Sequence, residues 1–273
     1  MLAAALLHAS WNAMAKGNGG DPLIGATVIA AGAAVVSAAM LAVADLPAAA
    51  SHPYVVASGI IHVGYFLLLG LSYRLADYSA VYPLMRGSAP LLTTGAGALL
   101  LGEHLALPVL VGIVLLSLGV LGLGLHALMR GGLDRRGIVV AGGNVAIIVA
   151  YTVIDGVGTR LSGTPAGYVA AMMLLTGVLL VPAIALWRPR ELGLALRQRW
   201  PMGLAGGAMV MASYGAALWA MTRAPIGAVA ALRETSVLFG ALIAVTVMKE
   251  RLYPLRVVAA LVIFAGLACM RLT

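Results

Sequence analysis

Long apolar runs alternate along the whole chain with short breaks rich in Gly, Pro and charge: KGNGGDP, DLPAAASHP, RLAD, GEHLALP, RGGLDRR, LSGTP, RPRELGLALRQRWP, TRAP and KERLYP. Nine breaks separate ten predicted helices, at 1–16, 22–44, 54–75, 78–101, 107–129, 138–160, 166–187, 201–222, 225–248 and 254–272. Most approach the roughly twenty residues that a bilayer core demands. The first run, MLAAALLHASWNAMA, ends in small residues as a secretory signal does, but it lacks the basic leading region of one. It reads as a short first membrane helix, its shortfall met by snorkelling of Lys16 or by residues upstream. The longest break, 188–200, has the charge and spacing of a short amphipathic helix at the interface.

Composition fixes the solvent. Of 273 residues 62% are hydrophobic and 10% charged, with mean hydropathy +1.04, against about 25% charged residues in an average soluble domain. The fold class is an all-α integral membrane protein, multi-pass, in the cell (inner) membrane. The net charge of +8 builds no basic stripe with interleaved aromatics, which argues against a nucleic-acid partner. The charges serve better as topology signals. Twelve of the 17 Lys and Arg fall in or beside odd-numbered loops and three on the other side, while Arg86 and Arg233 lie within the membrane. The charge rule therefore places the odd loops in the cytoplasm and both termini outside. Cys269 is the single cysteine, so neither an intrachain disulfide nor a thiolate metal site can form.

The fourth and ninth segments echo one another. SAVYPLMRGSAPLLTTGAGALLLGEHL and GAVAALRETSVLFGALIAVTVMKERL each carry an Arg followed 17 positions later by a Glu: Arg86 and Glu103, Arg233 and Glu250. The first and sixth segments carry polar stripes at steps of four, His8, Asn12 and Lys16 in one and Tyr151, Asp155 and Thr159 in the other. Each half then holds five helices, residues 1–129 and 138–272. Five is odd, so the second copy enters the membrane upside down. Ten transmembrane helices in two inverted five-helix repeats are a transporter signature.

HASWNAMAK at the start, YPLMRGSAPLL followed by GE in the fourth helix, and RETS with its later KE in the ninth resemble the drug/metabolite transporter superfamily, EamA type. The resemblance covers essentially the whole chain. It departs at Lys249–Glu250, where the family more usually has Gly-Glu. The resemblance implies that the third, fourth, eighth and ninth helices line a central cavity, with the first and sixth as moving walls. It also implies both termini in the cytoplasm, against the charge rule.

Misplaced polarity marks candidate residues on the same helices. Arg86 lies about 12 Å into its helix, beyond the reach of snorkelling alone, and Arg233 repeats it. Either both tie neighbouring backbone carbonyls or both meet an anionic group of a substrate through the planar guanidinium fork. Tyr82 shares the stripe of Arg86, and Asn12, Trp11 and Tyr151 join the substrate-binding set. Glu234, Asp155 and His8 are the proton-coupling candidates, the alternative for both carboxylates being a structural pair with an Arg. Glu103 and Glu250 sit at helix ends, where capping or salt-bridging suits them better than substrate contact. His62, His104 and His126 offer no metal-ligand spacing, and no cofactor is expected. Gly203 and Gly207 form a GxxxG of the kind that brings helices close.

The functional expectation is a secondary transporter of small metabolites such as amino acids, organic anions or drugs, moving them outward in exchange for protons. One alternative is a flippase for a lipid-linked anionic head group. Another, a membrane-embedded enzyme, finds no HExxH and no GxSxG in its support. The oligomeric state is left open.

Overall fold

The breaks work by ordinary capping chemistry. Asp21 accepts the Leu23 amide at 2.9 Å and Pro22 follows it, which starts one helix. Thr164, with Pro165 after it, starts another by accepting the Gly167 amide. Gly102 and Gly163 stand just past two helix ends at φ +65° and +70°, a conformation glycine adopts without penalty. The computed structural model describes residues 1–16, 21–75, 78–129, 135–246 and 254–271.

Eleven α-helices occupy the described residues: α1 (Leu2–Lys16), α2 (Pro22–Leu41), α3 (His52–Leu75), α4 (Tyr78–Leu101), α5 (Leu107–Met129), α6 (Arg135–Ser162), α7 (Pro165–Trp187), α8 (Pro189–Met221), α9 (Ile226–Arg233), α10 (Ser236–Thr246) and α11 (Pro254–Arg271). A 3₁₀ turn, Ala49–Ser51, leads into α3. Among the described residues there is no strand. Among the described residues, six helical stretches are long and apolar enough to cross a membrane, in α2, α3, α5, α6, α7 and α8. Leu99 and Leu186, each 87% exposed, show the apolar outer surface that such a protein presents to lipid.

Two predicted segments differ in detail. The eighth is extended backwards, because residues 189–198 are helical and join the membrane helix through a kink at Arg199 (φ −121°, ψ 17°), just before Pro201. The ninth is divided into α9 and α10 by a tightened turn. There the amides of Glu234, Thr235, Val237 and Leu238 bond three residues back instead of four, to Ala231, Leu232, Glu234 and Thr235.

The helices group into two compact units that do not follow the order of the chain. Unit 1 takes residues 1–5, 68–153 and 224–273. In it α5 packs on α4 and α11, and α9 lies against α4 and α5, around Ile113, Leu116, Val120, Ala231 and Ile263. Unit 2 takes residues 6–67 and 154–223. There α2 packs on α7 and α8, and glycines set the spacing. A Cβ placed at Gly32 would fall 1.9 Å from the Gly203 carbonyl oxygen, and one at Gly207 would fall 2.2 Å from the Ala33 nitrogen. Unit 1 uses the same device, Gly112 and Gly266 bringing α5 and α11 together.

Candidate functional site

In unit 1, Arg86 stands between two prolines of its own helix, Pro83 and Pro90. Neither proline can donate a backbone hydrogen bond, so α4 is weakened on both sides of the arginine. The side chain is 3% exposed, and its Nε lies 2.9 Å from Glu234 Oε2 in a buried ion pair. Glu234 sits at the tightened turn between α9 and α10, next to Arg233, which is 8% exposed. Two guanidinium groups therefore accompany one carboxylate. Close by in sequence, Thr93 on α4, two turns along from Arg86, and Ser236 on α10 bury hydroxyls that have no hydrogen-bond partner among the described residues, as does Ser117 on α5. Buried polar atoms are usually satisfied, so several open ones in one unit call for an explanation.

At the far end of α4 the chain folds back on itself. The Glu103 amide bonds to the Gly97 carbonyl at 3.1 Å, and its Oε2 accepts the Ile226 amide at 2.9 Å. A carboxylate on the first amide of a helix meets both an orphan donor and the positive end of the dipole. Glu103 therefore caps α9.

Unit 2 has its own buried acid. Asp155 on α6 is fully buried and accepts hydrogen bonds from the hydroxyls of Tyr168 on α7, at 2.9 Å, and Tyr214 on α8. His62 on α3 stacks edge-on against Tyr214 with centroids 5.7 Å apart, and its Nδ1 lies 3.1 Å from Ser58 Oγ. Four helices thus converge on one carboxylate. Among the proton-coupling candidates, His8 receives the Trp11 indole N–H on Nδ1 at 3.3 Å, and Asn12 donates to the His8 carbonyl at 2.7 Å, so these three interact within α1. Tyr151, Asp155 and Thr159 all lie on one buried face of α6. The side chain of Tyr82, and Lys249 and Glu250 entirely, lie outside the described residues.

Sequence reasoning singled out Arg86, Glu234 and Asp155 and offered a structural pair with an arginine as the alternative for both acids; Glu234 has that pair, with Arg86, whereas Asp155 is held by tyrosine hydroxyls. Tyr168 went unnoticed, although a tyrosine set in an apolar run needs a partner for its hydroxyl and that need was the available signal. At the water-exposed corner between α7 and α8, Arg188 pairs with Asp21 and with Glu191. The hydrogen bond to Asp21 holds the Arg188 guanidinium above its ordinary pKa.

The model of the EamA-like transporter family matches residues 135–272, just over half of the chain. The chain belongs to the EamA-like transporter family. No curated protein matches it. A crystal structure 21% identical in sequence superposes with a TM-score of 0.73 over 99% of this chain and 94% of the other, which establishes the similarity of fold. As a member of the EamA-like family the protein is a multi-pass membrane transporter of small molecules, within the drug/metabolite transporter superfamily.

Proposed function

We propose that this EamA-like transporter is a proton-coupled secondary transporter exporting small metabolites that carry a carboxylate or similar anionic group. Arg86 and Arg233 receive that group, and Glu234 carries the proton. The same reading includes ten membrane crossings in two inverted repeats and a place in the cell membrane. The observation that carries it is the buried Arg86–Glu234 pair beside a second arginine. Breaking a buried ion pair by removing one partner costs about 3–5 kcal/mol, so the pair opens only when another charge takes its place. A substrate anion supplies one such charge and a proton on Glu234 removes the other.

Glu234 suits proton transfer better than Asp155. Both oxygens of Asp155 already hold tyrosine hydroxyls, an arrangement that fixes three helices around it. For Trp11, Asn12, Tyr82 and Tyr151 a substrate contact stays an expectation of the sequence.

The test is flux in proteoliposomes loaded with labelled lactate, benzoate, L-glutamate and L-tryptophan. The proposal expects efflux of at least one of them, lost in Arg86→Gln and in Arg233→Gln while the detergent melting temperature stays within a few degrees. Loss of flux only in proportion to lost stability would make the arginines structural ties. Release of a chemically altered product would overturn transport itself.

A further inference from the structure

We propose that the anion and the proton travel in the same direction, bound together at the Arg86–Glu234 pair, so that each transport step is electroneutral. This rests on the reading of Arg86 and Glu234 given above and replaces the exchange of metabolite for proton that the sequence suggested.

Charge at a single place sets the coupling. At rest the buried cluster holds Arg86, Arg233 and the Glu234 carboxylate, two positive charges and one negative. An anion that takes the guanidinium of Arg86 displaces the carboxylate from a contact of 2.9 Å. A displaced carboxylate keeps Arg233, the preceding residue of its own turn, but loses its 2.9 Å partner at 4% exposure, where little solvent can replace it, and charge so placed is disfavoured. Protonation removes that obstacle. One proton from solution adds to a Glu234 oxygen, the neutral acid releases Arg86, and the substrate anion fills the vacated fork. One positive and one negative charge have entered, so the cluster carries the same net charge as before.

Exchange requires the opposite logic, in which proton and substrate compete for one group. That suits a cationic substrate on a lone carboxylate, whereas here the carboxylate's partner is an arginine. No other charge nearby alters the balance among the described residues. The charged groups on α4, α9 and α10 that face Glu234 are Arg86 and Arg233, the described side chains of α5 are apolar apart from Ser117, the side chain of His126 lying outside them, and Glu103 is engaged at the α9 cap. The open hydroxyls of Thr93, Ser117 and Ser236 leave polar capacity in the same unit for a ligand and a neutral acid to use. Net export then follows from an outward metabolite gradient, each anion leaving with its proton.

Proteoliposomes carrying a trapped pH-sensitive dye and the four labelled probes named above, clamped at zero potential with potassium and valinomycin, give the sign directly. An outward gradient of a transported probe is expected to make the lumen alkaline, and lowering the lumenal pH to accelerate efflux. In Glu234→Gln, a neutral mimic of the protonated acid, the Arg86-dependent efflux that remains is expected to proceed without alkalinisation and at a rate that no longer depends on pH. Lumenal acidification during efflux, or pH-independent flux in the parent protein, would overturn cotransport while leaving the transport site in place. Loss of flux in Glu234→Gln at every pH, with the fold intact by melting, would equally overturn it. Absence of Arg86-dependent flux for all four probes would overturn the underlying reading.

Discussion

At the scale of single residues, two buried carboxylates of the same protein are held in opposite ways. Glu234 faces a cation that another charge can claim, while Asp155 faces two neutral hydroxyl donors from α7 and α8. The second arrangement is a clasp, and its loss should register as stability. Tyr168→Phe strips one donor from a fully buried carboxylate, a change worth about 1–3 kcal/mol. Melting in detergent should fall by several degrees, with the pH dependence of transport unchanged. A Tyr168→Phe protein that melts normally would show that the clasp contributes little. The charged residues themselves were legible in the sequence, because polarity inside an apolar run is conspicuous. An arginine was among the expected partners of Glu234, but the partners of Asp155 were hidden: Tyr214 lies 59 positions away, and periodicity along one helix says nothing of what a distant helix brings.

At the scale of helices, the breaks were legible because Pro, Gly and charge stop a helix by known chemistry, and the ten predicted segments each contain a helix or a pair of them. The division of the ninth was hidden. RETS contains neither Pro nor Gly, so the tightened turn is imposed by the surroundings and not by local propensity. The helix at 189–198 was foreseen as amphipathic, but its continuity with α8 through Arg199 was not. The GxxxG of α8 was legible as a packing motif, and the partner it packs on is α2. Gly203→Val should therefore be severely destabilising: even a Cβ there would lie 2.8 Å from the Val28 carbonyl oxygen, and backbone cannot step aside as a flexible side chain can. Overpacking of this kind costs about 1–3 kcal/mol or more, measurable as lost monodisperse protein on size exclusion. Valine at Gly95, where an added Cβ meets nothing within 4 Å among the described residues apart from its chain neighbours and its own helix backbone, is the matched control and should be far better tolerated.

At the scale of the whole molecule, the unequal sorting of Lys and Arg predicts that the odd-numbered loops face the cytoplasm and both termini face outward. Alkaline phosphatase fused after Thr273 should be active in cells, and a cytoplasm-only fluorescent reporter at the same place should be dark; the reverse pattern would put the termini inside, as the family resemblance implies. Within unit 1, the cap that Glu103 places on Ile226 gives α9 a fixed end. Glu234 stands eight positions beyond that end, an arm of about 12 Å at 1.5 Å per residue. With the ion pair closed, α9 is tied at both ends, to Glu103 just past α4 and through Glu234 to Arg86 on α4. With it open, on the reading proposed above, only the cap would hold that stretch of helix, and the acid, about 12 Å away, is the point that a tilt about the cap would move most. A pair of oppositely charged side chains would then act as a latch on a lever, with the helix itself as the moving part.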